Sequence, residues 1–193
     1  SLTTTGTGIE VEKGYAHING GTITCTSNEA DINMFKVAMD SAIAASAENG
    51  TFTMNGGKLV LNVNGDASKG VKAENDIIIN GGEIVGVVKG SALEFGEDVS
   101  YASLMKADNT LQVLGGKINI ELDEFAQGSR GLTSDFGITF DGGANVKIIA
   151  GCEFYETNGG KVKEGHGIKT DGDIIFNDCN IEIISTYDEN GAF

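Results

Sequence analysis

Six segments of the chain share one pattern of apolar and polar positions. Each has a short run that alternates apolar with polar residues, a turn that is usually glycine-rich, and a second alternating run. A period of two predicts β-strands, because successive side chains of a strand point to opposite faces. The segments are YAHINGGTITCTS (15–27), TFTMNGGKLVLNV (51–63), DIIINGGEIVGVV (76–88), TLQVLGGKINIEL (110–122), GITFDGGANVKII (137–149) and DIIFNDCNIEIIS (173–185).

Aligning these segments on their turns places similar residues in columns. One repeat cannot bury its own apolar side, whereas stacked repeats can. Strands that recur at the same place in every repeat pair in parallel, so we predict an all-β, right-handed parallel β-helix of about six coils, with three short strands per coil. A β-sandwich is the weaker alternative, since antiparallel hairpins would not preserve the columns. One inward column contains Ala16, Phe52, Ile77, Leu111, Ile138 and Ile174.

The turns lie 36, 25, 34, 27 and 36 residues apart, so some coils carry insertions. We place these insertions at 27–41, 89–103 and 150–166, and expect them on one side of the rod. The alanine-rich stretch 38–50 predicts a short helix. With 193 residues the chain fits a single domain, residues 1–193, either as a mature protein or as part of a longer secreted one.

Composition excludes several classes of partner. The net charge of −15 argues against nucleic acid and anionic membranes, because few cations are present to neutralise phosphates. No stretch approaches the roughly 18 apolar residues of a membrane-spanning helix, so we expect no membrane insertion. Three separated cysteines and two histidines form no zinc motif, and a Cys152–Cys179 disulfide is left open.

Acidic and basic residues also stack in columns, directly before the first apolar run of a repeat. Carboxylates at about 4.8 Å spacing repel one another unless something compensates them. The lysine column is one source of compensation, which would leave a solvated stripe; Ca²⁺, which binds carboxylate oxygens, is the other. The lysines are Lys72, Lys106 and Lys169, and the candidate calcium ligands are Glu74, Asp76, Asp108, Asp135, Asp171 and Asp173.

The insertions contain aromatic residues as well as acidic ones. Long loops in a compact fold often carry function, and aromatic rings there could stack on sugars. The alternative is that these rings anchor the loops to the rod. The insertion at 27–41 contributes Phe35, and the other two contribute Phe95, Tyr101, Phe154 and Tyr155.

Two phrases, KGVKAENDIIINGGEI (69–84) and HGIKTDGDIIFNDCNIEI (166–183), resemble a known family. It is the secreted carbohydrate-binding domain family with a pectate-lyase-like right-handed β-helix, whose repeats read G-I-K-x-D-x-D-I-x-I-x-G-G-x-I-x-I. The resemblance covers about residues 68–185. It implies an extracellular or cell-surface location, bound calcium, and affinity for pectic or cellulosic polysaccharide, without implying enzyme activity.

Three functions follow from these features. The leading hypothesis is a non-catalytic, calcium-dependent module that binds polysaccharide, with Lys72, Lys106 and Lys169 meeting sugar acids or hydroxyls. The second is a polysaccharide lyase, in which Arg130, the sole arginine, acts with Lys106 or Lys169 as the base. The third is a structural or adhesive surface or filament subunit, since open coil ends invite end-to-end self-association.

Overall fold

The computed structural model describes residues 2–4, 6–40 and 48–186, so the helix predicted over 38–50 lies largely outside the described residues. Strand β1 (Leu2–Thr4) precedes six coils of three strands each. Coil 1 contains β2 (Ile9–Val11), β3 (Ala16–Ile18) and β4 (Thr22–Ser27); coil 2 contains β5 (Asn33–Val37), β6 (Phe52–Met54) and β7 (Lys58–Val63); coil 3 contains β8 (Lys69–Ala73), β9 (Ile77–Ile79) and β10 (Glu83–Val88), and it is followed by the hairpin strands β11 (Leu93–Phe95) and β12 (Asp98–Ser100). Coil 4 contains β13 (Ser103–Ala107), β14 (Thr110–Val113) and β15 (Lys117–Leu122); coil 5 contains β16 (Arg130–Ser134), β17 (Gly137–Phe140) and β18 (Ala144–Ala150), and it is followed by the hairpin strands β19 (Tyr155–Glu156) and β20 (Val162–Lys163); coil 6 contains β21 (His166–Thr170), β22 (Asp173–Phe176) and β23 (Cys179–Ser185).

Strands of successive coils pair in parallel and form three sheets along the rod. Sheet A has the order β1-β4-β7-β10-β15-β18-β23, sheet B the order β2-β5-β8-β13-β16-β21, and sheet C the order β3-β6-β9-β14-β17-β22. Only the two hairpins, β11–β12 and β19–β20, are antiparallel among the described strands. The chain is therefore a parallel β-helix of six coils with three strands per coil, as the columns predicted. Its right-handed winding stays a prediction from the chirality of parallel crossovers.

The interior of the rod is filled by the predicted apolar columns. In neighbouring strands of sheet C, Phe52 lies beside Ile77, Ile77 beside Leu111, and Leu111 beside Ile138. All four side chains are buried. Burial of such side chains contributes about 1.5–3 kcal/mol each, which makes this column a main source of stability. In coil 6 the inward positions are open instead; their exposed fractions are Ile174 40%, Phe176 53% and Ile183 50%.

The turns between sheets C and A are stabilised by an asparagine ladder. Asn55 Nδ2 donates to Asn19 Oδ1 at 2.7 Å, and Asn80 Nδ2 donates to Asn55 Oδ1 at 2.8 Å. Leu114 interrupts the ladder, which resumes where Asn177 Nδ2 donates to Asp141 Oδ2. Each bond joins neighbouring coils, so these polar positions support stacking.

The insertion predicted at 27–41 is wrong. Phe35 lies in β5, is buried, and packs against Phe52 with ring centroids 5.6 Å apart. The additional residues of coil 2 follow β5 instead and connect sheet B to sheet C. Sequence alignment missed β5 because the segment "NMFKV" departs from the G-I-K phrase of later coils.

The other two insertions form the hairpins β11–β12 and β19–β20, which both connect sheet A to sheet B. They lie on one side of the rod, as predicted, and they contact each other. Asn158 donates from its backbone N and from Nδ2 to Glu94 Oε2, at 2.8 and 2.7 Å. Across the ranges that the structure describes, no helix has the length and apolar character to span a membrane.

Candidate functional site

A cleft of about 440 Å³ lies between the outer face of sheet B and the hairpin β11–β12. Six candidate residues from the sequence line it: Lys72, Lys106, Arg130, Phe95, Tyr101 and Asp135. The remaining lining residues are Lys69, Asp98, Val99, Ser100, Ser103 and Thr133. Four cations and two acids therefore meet in one cleft of a chain whose net charge is −15.

The backbone of sheet B explains how Lys69 and Lys72 both reach this outer face. Strict alternation would place residues three apart on opposite faces. The register pairs Ser103 with Lys69 and Met105 with Val71, and it omits Gly70. Gly70 and Val71 are consecutive buried positions, so the alternation is broken at Gly70 and both lysines lie on the outside.

The same irregularity recurs in the next coils, and it places Arg130 in the column of Lys69. Ser103 is in register with Lys69 on one side and with Arg130 on the other. Neighbouring strands are about 4.8 Å apart, so Lys69 and Arg130 originate two strands, or roughly 10 Å, from each other. Lys72 and Lys106 are direct register partners in the second outward column.

Lys69 is held by neutral acceptors. Its Nζ donates to the carbonyl O of Ala67 at 2.5 Å and to Ser100 Oγ at 2.7 Å. Burial against the hairpin lowers the pKa of Lys69 from 10.5 to about 8, with the charges of Lys72 and Lys106 acting in the same direction. The fold therefore holds Lys69 as a partly buried cation without a salt-bridged carboxylate, and Asp31 favours its charge from a longer distance.

Arg130 is another partly buried cation of the cleft. Its guanidinium Cζ lies 3.4 Å from the centroid of the Tyr101 ring, a cation–π contact. Its Nε is buried and has no hydrogen-bond partner among the described residues. Burial lowers the pKa of Arg130, although an arginine stays charged throughout the physiological range.

The lysine column, in contrast, is neutralised by the acid column. Lys72 bonds Asp108 of the next coil, and Lys106 bonds Asp135 of the coil after its own. Lys106 also lies 3.6 Å from Asp108, so Lys106 links two successive carboxylates. No carboxylate oxygen of the described chain lies within salt-bridge distance of Lys69 or Arg130, which distinguishes these two from Lys72 and Lys106.

Three of the candidate calcium ligands are paired with lysines in this structure. Asp108 and Asp135 are paired with lysines, and Asp171 is paired with Lys169, whose hydrogen bond and charge lower the Asp171 pKa. Within residues 6–40 and 48–186, no cluster of three Asp, Glu, His or Cys side chains could hold a metal ion. Calcium binding stays a prediction from the sequence, and these contacts give it no support.

The other candidate calcium ligands have local partners or lie apart. Glu74 Oε2 accepts from the backbone N of Met39 at 2.9 Å. Asp76 Oδ1 accepts from the backbone N and Oγ1 of Thr110, at 2.9 and 2.7 Å, so it caps the start of β14. Asp173 begins β22 and is exposed. None of these three residues lines the cleft.

Three candidate sugar-binding residues lie outside the cleft. Lys169 belongs to the lysine column but sits two strands beyond Lys106, in β21. Phe154 is 43% exposed and lines a separate cavity of about 480 Å³ beside Cys152 and Val162. Tyr155 is half-buried in β19, paired with Lys163. The hairpin β19–β20 therefore contributes none of its predicted aromatics to the cationic site.

The chain matches no protein-family model, no curated protein and no solved structure. The resemblance to the carbohydrate-binding family consequently remains an expectation from its repeated phrases.

Proposed function

We propose that the protein is a non-catalytic module that binds acidic polysaccharide in the cleft between sheet B and the hairpin β11–β12. One observation carries the proposal: Lys69 and Arg130 are half-buried cations in one cleft without a carboxylate partner among the described residues. Partly desolvated charges are costly unless an opposite charge compensates them. A carboxylate of the ligand supplies that charge.

Arg130 defines the chemistry of the ligand group. Stacking on Tyr101 fixes the plane of the Arg130 guanidinium, which lines the cleft. The planar fork of arginine matches the two oxygens of a carboxylate. A uronic acid unit of a pectic polysaccharide offers this group, whereas a cellulosic chain offers only hydroxyls.

Two further features support a sugar rather than a small organic acid. Phe95 is 47% exposed at the border of the cleft, where a ring can pack against the apolar face of a pyranose. The cleft is open to solvent rather than enclosed, which suits a group carried on a polymer. We therefore also propose an extracellular or cell-surface location, where such polymers lie.

The test is isothermal calorimetry with a galacturonic acid oligomer and with a cello-oligosaccharide, each in EDTA and in millimolar calcium. We expect the uronic acid oligomer alone to bind, in EDTA as well as in calcium. Arg130→Gln removes a charged hydrogen-bonding group and should weaken binding roughly ten- to a hundredfold. Lys117→Met is the matched control, because Lys117 is an exposed cation on sheet A.

Equal binding of both oligomers, or an Arg130→Gln affinity within about twofold of the wild type, would contradict the proposal. Binding that disappears in EDTA would restore the calcium-dependent hypothesis. The ultraviolet absorbance of unsaturated sugar, followed in the same mixtures, reports the lyase alternative. A steady increase that Arg130→Gln abolishes would replace binding by catalysis as the function.

A second candidate, end-to-end self-association into a structural or adhesive filament, rests on coil 6. Its inward side chains Ile174, Phe176 and Ile183 are exposed, and β21, β22 and β23 have no neighbour on their outer edge among the described strands. At the other end of the described rod, β1, β2 and β3 are edge strands too. Unpaired parallel edges are templates for another copy of the chain.

Sedimentation velocity over a wide concentration range tests this candidate. Concentration-dependent growth that Phe176→Glu abolishes would support a head-to-tail contact between copies. Phe125→Glu is the control, because Phe125 is 75% exposed but lies between β15 and β16, at the side of the rod. A single monomeric species at every concentration would contradict self-association through coil 6. Equal effects of the two substitutions on assembly would contradict it as well.

A further inference from the structure

We propose that the cleft binds its anion together with a proton, which Lys69 takes up as the ligand enters and gives up as the ligand leaves. This inference rests on the proposed function, since it assigns a proton to the same binding event. It identifies Lys69, a residue that the sequence pattern did not single out, as the half of the site that responds to pH.

The contacts of Lys69 suit both of its protonation states. The amino group makes two hydrogen bonds as a donor, to Ala67 O and Ser100 Oγ. A neutral amine has two N–H groups, so it can satisfy both acceptors and direct its lone pair into the cleft. An ammonium has three, so it can satisfy both acceptors and donate the third to a ligand oxygen. The bound carboxylate favours the ammonium, and the empty cleft does not.

Burial is the main effect that opposes protonation of Lys69 while the cleft is empty, and the surrounding charges act in both directions. Lys72 follows in the same strand and Lys106 lies in β13, and both disfavour a further positive charge. Asp31, before β5, and Asp108, after β13, favour it. Asp108 is engaged by Lys72 and Lys106, which limits its effect.

Three other charged groups line the same cleft around Lys69. Arg130 of β16 contributes a positive charge, whereas Asp98 of β12 and Asp135, which follows β16, contribute negative ones. Asp135 is held by Lys106. Tyr101, which also lines the cleft, stacks under Arg130.

The consequence is a measurable proton uptake. With a pKa of about 8, Lys69 is largely neutral in the empty cleft at mildly alkaline pH. If a bound carboxylate restores its ordinary pKa, binding at about pH 8.5 takes up about three quarters of a proton. At about pH 6 the ammonium is already formed and uptake is close to zero. The affinity should fall roughly tenfold between about pH 7 and pH 9.

The experiment is calorimetry of the wild-type protein with a galacturonic acid oligomer in two buffers of different ionisation enthalpy. The difference between the observed enthalpies gives the number of protons taken up. Competitive acylation of amines with mass-spectrometric readout then locates the proton: Lys69 should react at lower pH than Lys117, and the ligand should protect it.

Lys69→Arg provides the matched variant, because arginine keeps the charge but does not titrate here. Whatever its affinity, its binding should take up no proton at about pH 8.5 and should change little in strength between about pH 7 and pH 9. Wild-type binding without proton uptake would overturn this inference and leave the proposed function intact. Absence of binding at every pH would overturn both. If Lys69→Arg fails to fold, proton uptake and labelling of the wild type decide the matter.

Discussion

Lys69 Nζ donates a hydrogen bond of 2.7 Å to Ser100 Oγ, and this contact ties a strand of coil 3 to the hairpin that follows it. The next residue, Tyr101, lies under the Arg130 guanidinium of coil 5. Two adjacent hairpin residues therefore contact both Lys69 and Arg130. The hairpin positions the cationic site as well as covering it.

Replacement of Lys69 should change how stability depends on pH. Its pKa in the folded protein, about 8, lies below the ordinary 10.5, so the unfolded state binds more protons between these values. Stability then increases as the pH rises through this window. We expect the wild type to gain about 2 kcal/mol in free energy of unfolding relative to Lys69→Met between about pH 8 and pH 10.

Urea denaturation of both proteins at several pH values measures this difference. In the control variant Lys117→Met, stability should depend on pH as it does in the wild type, because Lys117 is exposed. Parallel profiles for wild type and Lys69→Met would show that burial does not disfavour the Lys69 ammonium.

Gly86 and Leu104 form a complementary pair of a small and a large residue in the interior. A Cβ at Gly86 would overlap the side chain of Leu104, which is fully buried. Gly86→Ala should therefore cost about 1–3 kcal/mol through overpacking. Leu104→Ala should cost about 2–5 kcal/mol through the cavity that it leaves.

The double variant Gly86→Ala/Leu104→Ala distinguishes this account from a general sensitivity of the two sites. The added methyl enters space that the leucine has vacated, so the combined cost should be smaller than the sum by at least about 1 kcal/mol. Chemical denaturation of all four proteins gives the coupling. Additive costs would mean that the two residues do not compete for the same volume.

Substitution by alanine should destabilise the protein far more at Gly82, the second glycine of an inner turn, than at Gly20, the first glycine of the turn in coil 1. Gly82 has φ of +91°, and a Cβ there would lie 2.7 Å from the carbonyl O of Gly57 in the coil before. Gly82→Ala should destabilise by about 1–3 kcal/mol. Gly20→Ala is the control, because no atom lies within 4 Å of its added Cβ. Similar melting temperatures for the two variants would contradict this prediction.

Calcium should have little effect on stability, because Asp108, Asp135 and Asp171 are already paired with lysines. We expect millimolar calcium chloride to shift the melting temperature no more than sodium chloride at equal ionic strength, through screening alone. Differential scanning calorimetry of EDTA-treated protein makes this measurement. An increase that depends on calcium dose and is reversed by EDTA would show that the carboxylates exchange lysine for metal.

Most of the fold could be predicted from the sequence because the apolar positions recur in every repeat. Phe52, Ile77 and Leu111 recur at one place in successive repeats, and stacking follows from that regularity. The prediction was wrong at Phe35, where coil 2 keeps the buried strand but not the phrase. A strand in a β-helix needs apolar inward positions, and its outward residues are free to vary.

The candidate site was predicted only in part, because local backbone geometry decides which residues face the cleft. Lys72 and Lys106 were found from their column, and the register confirms that they are partners. Lys69 was missed because the alternation places it inside, and the irregularity at Gly70 reverses that placement. The recurrent glycines Gly70, Gly131 and Gly167 at this column were the available signal. Loop contacts such as that of Tyr101 with Arg130 left no periodic trace.

The cleft takes its residues from three consecutive coils, with Lys69 in coil 3, Lys106 in coil 4 and Arg130 in coil 5. During synthesis, the site is incomplete until the chain has emerged past Arg130 and three turns have stacked in register. A ligand that contacts all three coils spans two boundaries between coils. Its binding free energy therefore stabilises coils 3 and 5 together, although each coil otherwise contacts only its neighbours. Occupancy should therefore slow amide hydrogen exchange in coils 3–5 while the outer coils continue to fray.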